Sequence, residues 1–350
     1  MKQTFVLTTA VVLLAVAVPL GMIIGAQINK PGARQKPPEI KAGDYTLSGP
    51  YTHKNLTIFL IHGKDLVTAA PPLTLQEALE QKKVVVYETK DVNELSIENL
   101  SNEDVYVQSG DIVKGGQQDR MIAVDLIVPP KSGKMPLAAF CVESGRWTRR
   151  GNEQAGSFSS SVNVASTKDI KLAAKRANSQ GDVWKNVTVA QDKLSENVGT
   201  RVNSSVSQSS LELSVENRQV QQTSESYLKA LSGIINGSGD VIGYAFAING
   251  EMNSADVYSS NALFKKLWPK LLKANAIEAI AELQKDKKSD PATAEHAKTF
   301  LAEGQDGIGA EKEVTARVGL FTREDEKNIF FETRDRSQKG AWIHRNYIRK

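Results

Sequence analysis

The chain has 350 residues, 40% of them hydrophobic, enough to bury a substantial core in one large or two ordinary domains. Its 44 basic and 40 acidic side chains leave a net charge of +4 with no dense basic block, which argues against a nucleic-acid partner. Cys141 is the single cysteine, which excludes an intrachain disulfide and a multi-cysteine zinc site.

Lys2 precedes an uncharged apolar run from Phe5 to Ala26, and Ile24-Gly25-Ala26 suits a signal peptidase. Residues 1–26 therefore read as a signal peptide or an N-terminal membrane anchor. The remainder reads as exported: periplasmic, extracellular, or held at the membrane through residues 5–26 alone. Lys30, Arg34, Lys36 and Lys41 would lie on the translocated side, which favours cleavage over a retained anchor. Residues 27–43, with Pro31, Pro37 and Pro38, read as an extended linker.

From Tyr45 to Glu143 the pattern is mainly strand, with apolar or β-branched runs at 56–61, 84–87 and 105–107. A helix is expected to start near Thr74, because Glu77 stands three residues on in a capping-box spacing. Ile122, Val124, Leu126 and Val128 alternate, as do Phe140 and Val142 beyond the loop 129–135. Pairing them antiparallel with one face wholly apolar sets Val124 against Phe140, Ile122 against Val142, Met121 against Glu143 and Arg120 against Ser144. Met121 and Glu143 would then have Cα atoms about 4.5 to 5.5 Å apart.

That register brings two blocks to one end of the hairpin, Gly115-Gly116-Gln117-Gln118-Asp119-Arg120 and Cys141-Val142-Glu143-Ser144-Gly145-Arg146-Trp147. Arg120 and Arg146 offer planar donor forks for a carboxylate or phosphate, with Asp119 and Glu143 to orient them. Trp147 supplies a stacking face, Gln118 a further polar contact, and Gly115, Gly116 and Gly145 let the backbone approach a ligand closely. The ligand-binding candidates are thus Gly115, Gly116, Gln118, Arg120, Glu143, Arg146 and Trp147. Two other readings use the same residues: a hydrolase with Glu143 or Asp119 as general base, or a purely structural brace.

A Gly/Ser-rich connection is expected over 151–161, followed by helices between 163 and 232. Val241–Ile248 and Asp256–Tyr258 read as strands, and 261–283 as an amphipathic helix kinked or restarted at Pro269. After a polar boundary at 285–291 come a short helix ending near Ala302 and three strands at 313–321, 328–333 and 341–348. None of His53, His62, His296 or His344 lies in a partner motif that would make Cys141 a nucleophile, and His53 and His62 lack metal-ligand spacing, so no metal or cofactor is expected. Trp184 is placed to cap a helix or overhang the site.

The stretches 73–79, 98–101, 108–120 and 140–147, with 243–251 and 263–272 in the second half, resemble the bacterial family named for association with ADP-ribosylglycohydrolase and rhodanese-phosphatase superfamily proteins. The resemblance covers about residues 45–285. It implies no established activity, and the family name points by association to a nucleotide-related ligand.

The sequence thus predicts an α+β protein with a β-rich N-terminal half, a helical middle and a strand-containing C-terminal extension. Its segments are 1–26, a 27–43 linker, a 44–285 family domain and a 286–350 extension. The expected function is non-catalytic: a ligand-binding or interaction module for an anionic ligand or a protein partner. A structural cell-envelope role is the further alternative.

Overall fold

The computed structural model describes Met1 and residues 40–350, except 68–69, 288 and 339–340. The Phe5–Ala26 run and nearly all of the 27–43 linker lie outside the described residues. In chain order the first half comprises β1 (Ile40–Ala42), β2 (Tyr45–His53), β3 (Leu56–His62), β4 (Leu73–Thr74), α1 (Leu75–Glu80), β5 (Val84–Glu88), β6 (Glu94–Asn99), β7 (Val105–Val107), β8 (Asp111–Gly115), β9 (Arg120–Ile122), β10 (Leu126–Val128), β11 (Gly133–Cys141) and β12 (Phe158–Val164). Four helices follow: α2 (Lys168–Lys175), α3 (Gln180–Val198), α4 (Leu211–Val215) and α5 (Arg218–Leu231). The rest comprises β13 (Val241–Ile248), β14 (Glu251–Tyr258), α6 (Asn261–Ala281), α7 (Ala294–Glu303), β15 (Ile308–Glu313), β16 (Val318–Glu324), β17 (Asn328–Asp335) and β18 (Ala341–Arg349). The fold is α+β and rich in strand.

A nine-stranded sheet of order β1-β2-β3-β13-β14-β18-β17-β16-β15 organises the molecule. Every residue of β3 and β13 is buried, as befits continuous apolar runs covered on both faces. One face carries Phe59, Ile61, Ala245 and Tyr347, which share a core with Phe300 of α7. The other carries Leu56, Ile58, Tyr244 and Phe246, packed with α3, α5, α6 and two smaller sheets. Those sheets have the orders β12-β8-β9-β11-β6-β5 and β10-β7-β4. Thr74 and Glu77 form the anticipated capping box at α1. α6 runs as one helix through Pro269, so it does not restart there. Among the described residues, no helix is long and apolar enough to cross a membrane.

Two further expectations are corrected. The hairpin is broken at 123–125: β9 pairs with β11, whereas β10 leaves for β7 in another sheet, and most of β11 pairs with β6. Phe140, not Glu143, faces Met121, and Cys141 faces Arg120, a shift of three residues. The 151–161 connection ends in strand, because β12 begins at Phe158 and pairs with β8. Strands β15 to β18 of the C-terminal segment belong to the main sheet, with β18 between β14 and β17.

Candidate functional site

The two blocks meet despite the altered register. Just beyond the β9–β11 ladder, the Val142 amide donates to the Asp119 carbonyl, and the Asp119 amide donates to Glu143 Oε2 at 3.2 Å. Glu143 Oε1 accepts from Arg146 Nε at 2.8 Å. Burial pushes the Glu143 carboxyl up, but bonds from Arg146 and Ser207 outweigh it and hold the group below its ordinary value. Asp119 takes a bidentate pair from Arg150, at 2.8 and 3.0 Å, with further donors at Gly115 N and Ser210 Oγ. Burial is nonetheless its largest influence and raises its pKa.

Arg150 also binds Glu153, and Arg146 reaches the carbonyl of Thr148. The two arginine side chains are only 9% and 7% exposed for Arg146 and Arg150 respectively. Together they pin residues 142–157, the connection between β11 and β12, from within; the Gly116 amide adds a bond to the Gln154 carbonyl. Gly116 sits at φ 55° where a Cβ would meet Phe158 at 2.4 Å, which explains the glycine at this approach.

The other expected contacts are distributed differently. Arg120 is fully buried, bonded to the Val92 carbonyl and to Glu88 at 3.4 Å, and does not join the Arg146 cluster. Gln118 is buried with neither amide atom partnered by protein. Trp184 lies over the site and donates to the Glu143 carbonyl at 3.2 Å. Cys141 is buried, its backbone clamped on both sides by the Gln180 amide. Trp147 is 47% exposed, and Arg149 beside it is exposed. Arg149 and Arg150 escaped the sequence reading; two more arginines after Arg146-Trp147 were the available signal.

A second polar centre went unnoticed. His344 on β18 bonds Asp125 through Nδ1 at 2.7 Å and Asp256 through Nε2 at 3.0 Å, and its ring stacks on Tyr258 at 4.5 Å. Burial lowers its pKa, but the two carboxylates outweigh that and push it up to about 9, so it is an imidazolium at neutral pH. Lys175 Nζ approaches Asn346, which in turn donates to Asp256. A cavity of about 20 Å³, room for one water, borders His344, Asp256, Lys171 and Lys175. The signal was a polar residue at an inward position of each strand or strand link: Asp125 within 122–128, Asp256 in β14, His344 in β18. Among the described residues, no group of three or more histidine, cysteine or carboxylate side chains is arranged to hold a metal ion.

The profile of the ARG and Rhodanese-Phosphatase-superfamily-associated Protein domain matches residues 44–348. The chain belongs to this family. The match runs past the 285 boundary of the sequence resemblance and includes most of β18, so the family domain takes in the His344 centre as well as the two blocks. No curated protein and no solved structure matches the chain significantly.

Proposed function

We propose that this member of the family works by binding and not by catalysis, as an exported module whose braced 142–157 loop presents Trp147 and Arg149 to a planar, anionic ligand such as a nucleotide. The observation that carries this reading is the division of labour within the loop. Arg146 and Arg150 are buried on carboxylates, while the indole of Trp147 is half exposed and Arg149 is exposed, with no ion-pair or hydrogen-bond partner among the described residues. A long connection without secondary structure is ordinarily mobile; here two guanidinium anchors preorganise it. The later part of the same connection, from Arg150 to Ser157, helps to wall an open hollow of about 510 Å³ with Lys114 and Phe158.

A hydrolase would need a carboxylate oxygen open to water. Asp119 and Glu143 are fully buried, with their oxygens on guanidinium, amide and hydroxyl donors, and the imidazolium of His344 has both nitrogens engaged. Calorimetric titration with a nucleoside diphosphate tests the proposal. Trp147→Ala and Arg149→Ala should each weaken binding by roughly 1–3 kcal/mol at unchanged melting temperature, the range for an aromatic or arginine contact to a base. Arg150→Lys, which loses the bidentate bond to Asp119 and loosens the braced loop, should lower the melting temperature and weaken binding as well. Unaltered binding in Trp147→Ala, or none by the parent, would overturn the reading. Export is tested separately: a reporter active only in the cytoplasm, fused after Lys41, should stay silent.

A further inference from the structure

We propose a second, independent binding site for a neutral saccharide in the cleft between α3, α6, α7 and the β13–β14 turn, with Glu278 as the hydrogen-bonding group in its wall. The cleft measures about 550 Å³, within the range of small-molecule sites. Glu278 on α6 is 1% exposed. Its Oε1 accepts from the Lys168 amide at 2.8 Å and from Asn253 Nδ2 at 3.1 Å, two residues that also wall the cleft. The other oxygen of the same carboxyl, Oε2, has no partner among the described residues. A buried acceptor left without a donor is costly, and a hydroxyl group entering from the cleft would satisfy it.

The chemistry of the wall selects the ligand class. Among the described residues five basic and five acidic side chains line it, counting Glu278, so these offer little net field to draw in an ion. Lys193 and Glu282 already pair at 2.6 Å, and Arg349 with Glu303 at 3.4 Å. Ile248, Met252 and Phe300 are its only apolar side chains among the described residues, too few for a hydrophobic ligand. What remains is a dense supply of donors and acceptors around a small apolar patch, complementary to a hydroxyl-rich neutral molecule. The rim is fixed in advance: Asn249 Nδ2 holds the Glu282 carbonyl at 2.7 Å, and Gly250, at φ 83°, packs so tightly on residue 290 that a Cβ would lie 2.3 Å from its carbonyl.

The test uses maltotriose, cellotriose and chitotriose as probes, followed by saturation-transfer NMR and calorimetry on the parent. At least one should bind saturably, and Glu278→Leu should weaken it at least tenfold. Thr299→Trp, which fills the cleft from an exposed position on α7, should block binding and decides the matter should Glu278→Leu fail to fold. Trp147→Ala should leave saccharide binding unchanged, which keeps this site separate from the loop. The proposal is overturned when none of the three binds, when folded Glu278→Leu or Thr299→Trp binds like the parent, or when only ions such as spermidine or citrate saturate the cleft.

Discussion

Raising the pH should loosen this protein through His344 well before any lysine titrates in the unfolded chain. The imidazole is protonated in the fold up to about pH 9, against an ordinary value of 6.5. Because the folded value is the higher one, the stabilisation is fully present below pH 6.5 and is lost as pH rises through about 9. The shift of some 2.5 units corresponds to about 3 kcal/mol at 1.36 kcal/mol per unit. The groups facing the ring set the sign: Asp125 before β10, Asp256 on β14, and Lys171 and Lys175 from α2, with Tyr106 and Tyr258 close by. Lys175 works the other way. Burial lowers its pKa, so it favours the fold as pH rises, and only the difference between parent and variant isolates the histidine. Urea unfolding at pH 6, 7.5 and 9 should show the parent losing stability over this window. His344→Gln should be less stable at pH 6 by roughly 3–5 kcal/mol, the cost of stranding a buried charge, with a flatter dependence above it. A parent whose stability is flat from pH 6.5 to 9.5, or a variant with the same slope, would refute the argument.

Gly116→Ala should destabilise by about 1–3 kcal/mol in chemical denaturation, because the added methyl meets Phe158 and Glu88 and the backbone sits at positive φ. Cys141 should resist a thiol reagent at pH 8 in the folded protein and react at once in denaturant, since burial pushes its thiol up to about 11.

Local chemistry was legible in the sequence wherever a few neighbouring residues decide the outcome. Thr74 and Glu77 announce α1, and the run Val241–Ile248 announces a central strand. The register of β9 on β11 was not legible. Arg120, Met121 and Ile122 are all buried, as are Ala139, Phe140 and Cys141, so alternation carries no information about which face points inward. Asp125 was the overlooked sign that the apolar run could not be one strand, since its carboxylate seeks His344 more than 200 residues away. The two blocks do meet, through the Asp119 and Val142 amides. The assignment of partners within the cluster depended on Arg150, whose pairing with Asp119 only the folded chain reveals.

The seam between β14 and β18 has a consequence for assembly order. β15 to β18 are sequential antiparallel neighbours and can form from local contacts, whereas β14 and β18 join through five pairs, from Ser254 with Ile348 to Tyr258 with His344. The chain between them loops out through α6 and α7, so this ladder closes late on loop-entropy grounds. A nick in the exposed stretch at 284–287 should therefore leave two fragments that stay together without a covalent link, clasped by the ladder and by Asp256 on His344. Before the clasp forms, β14 is an unpaired strand edge bearing residues meant for the interior, and it is at that stage that the chain is most open to aggregation.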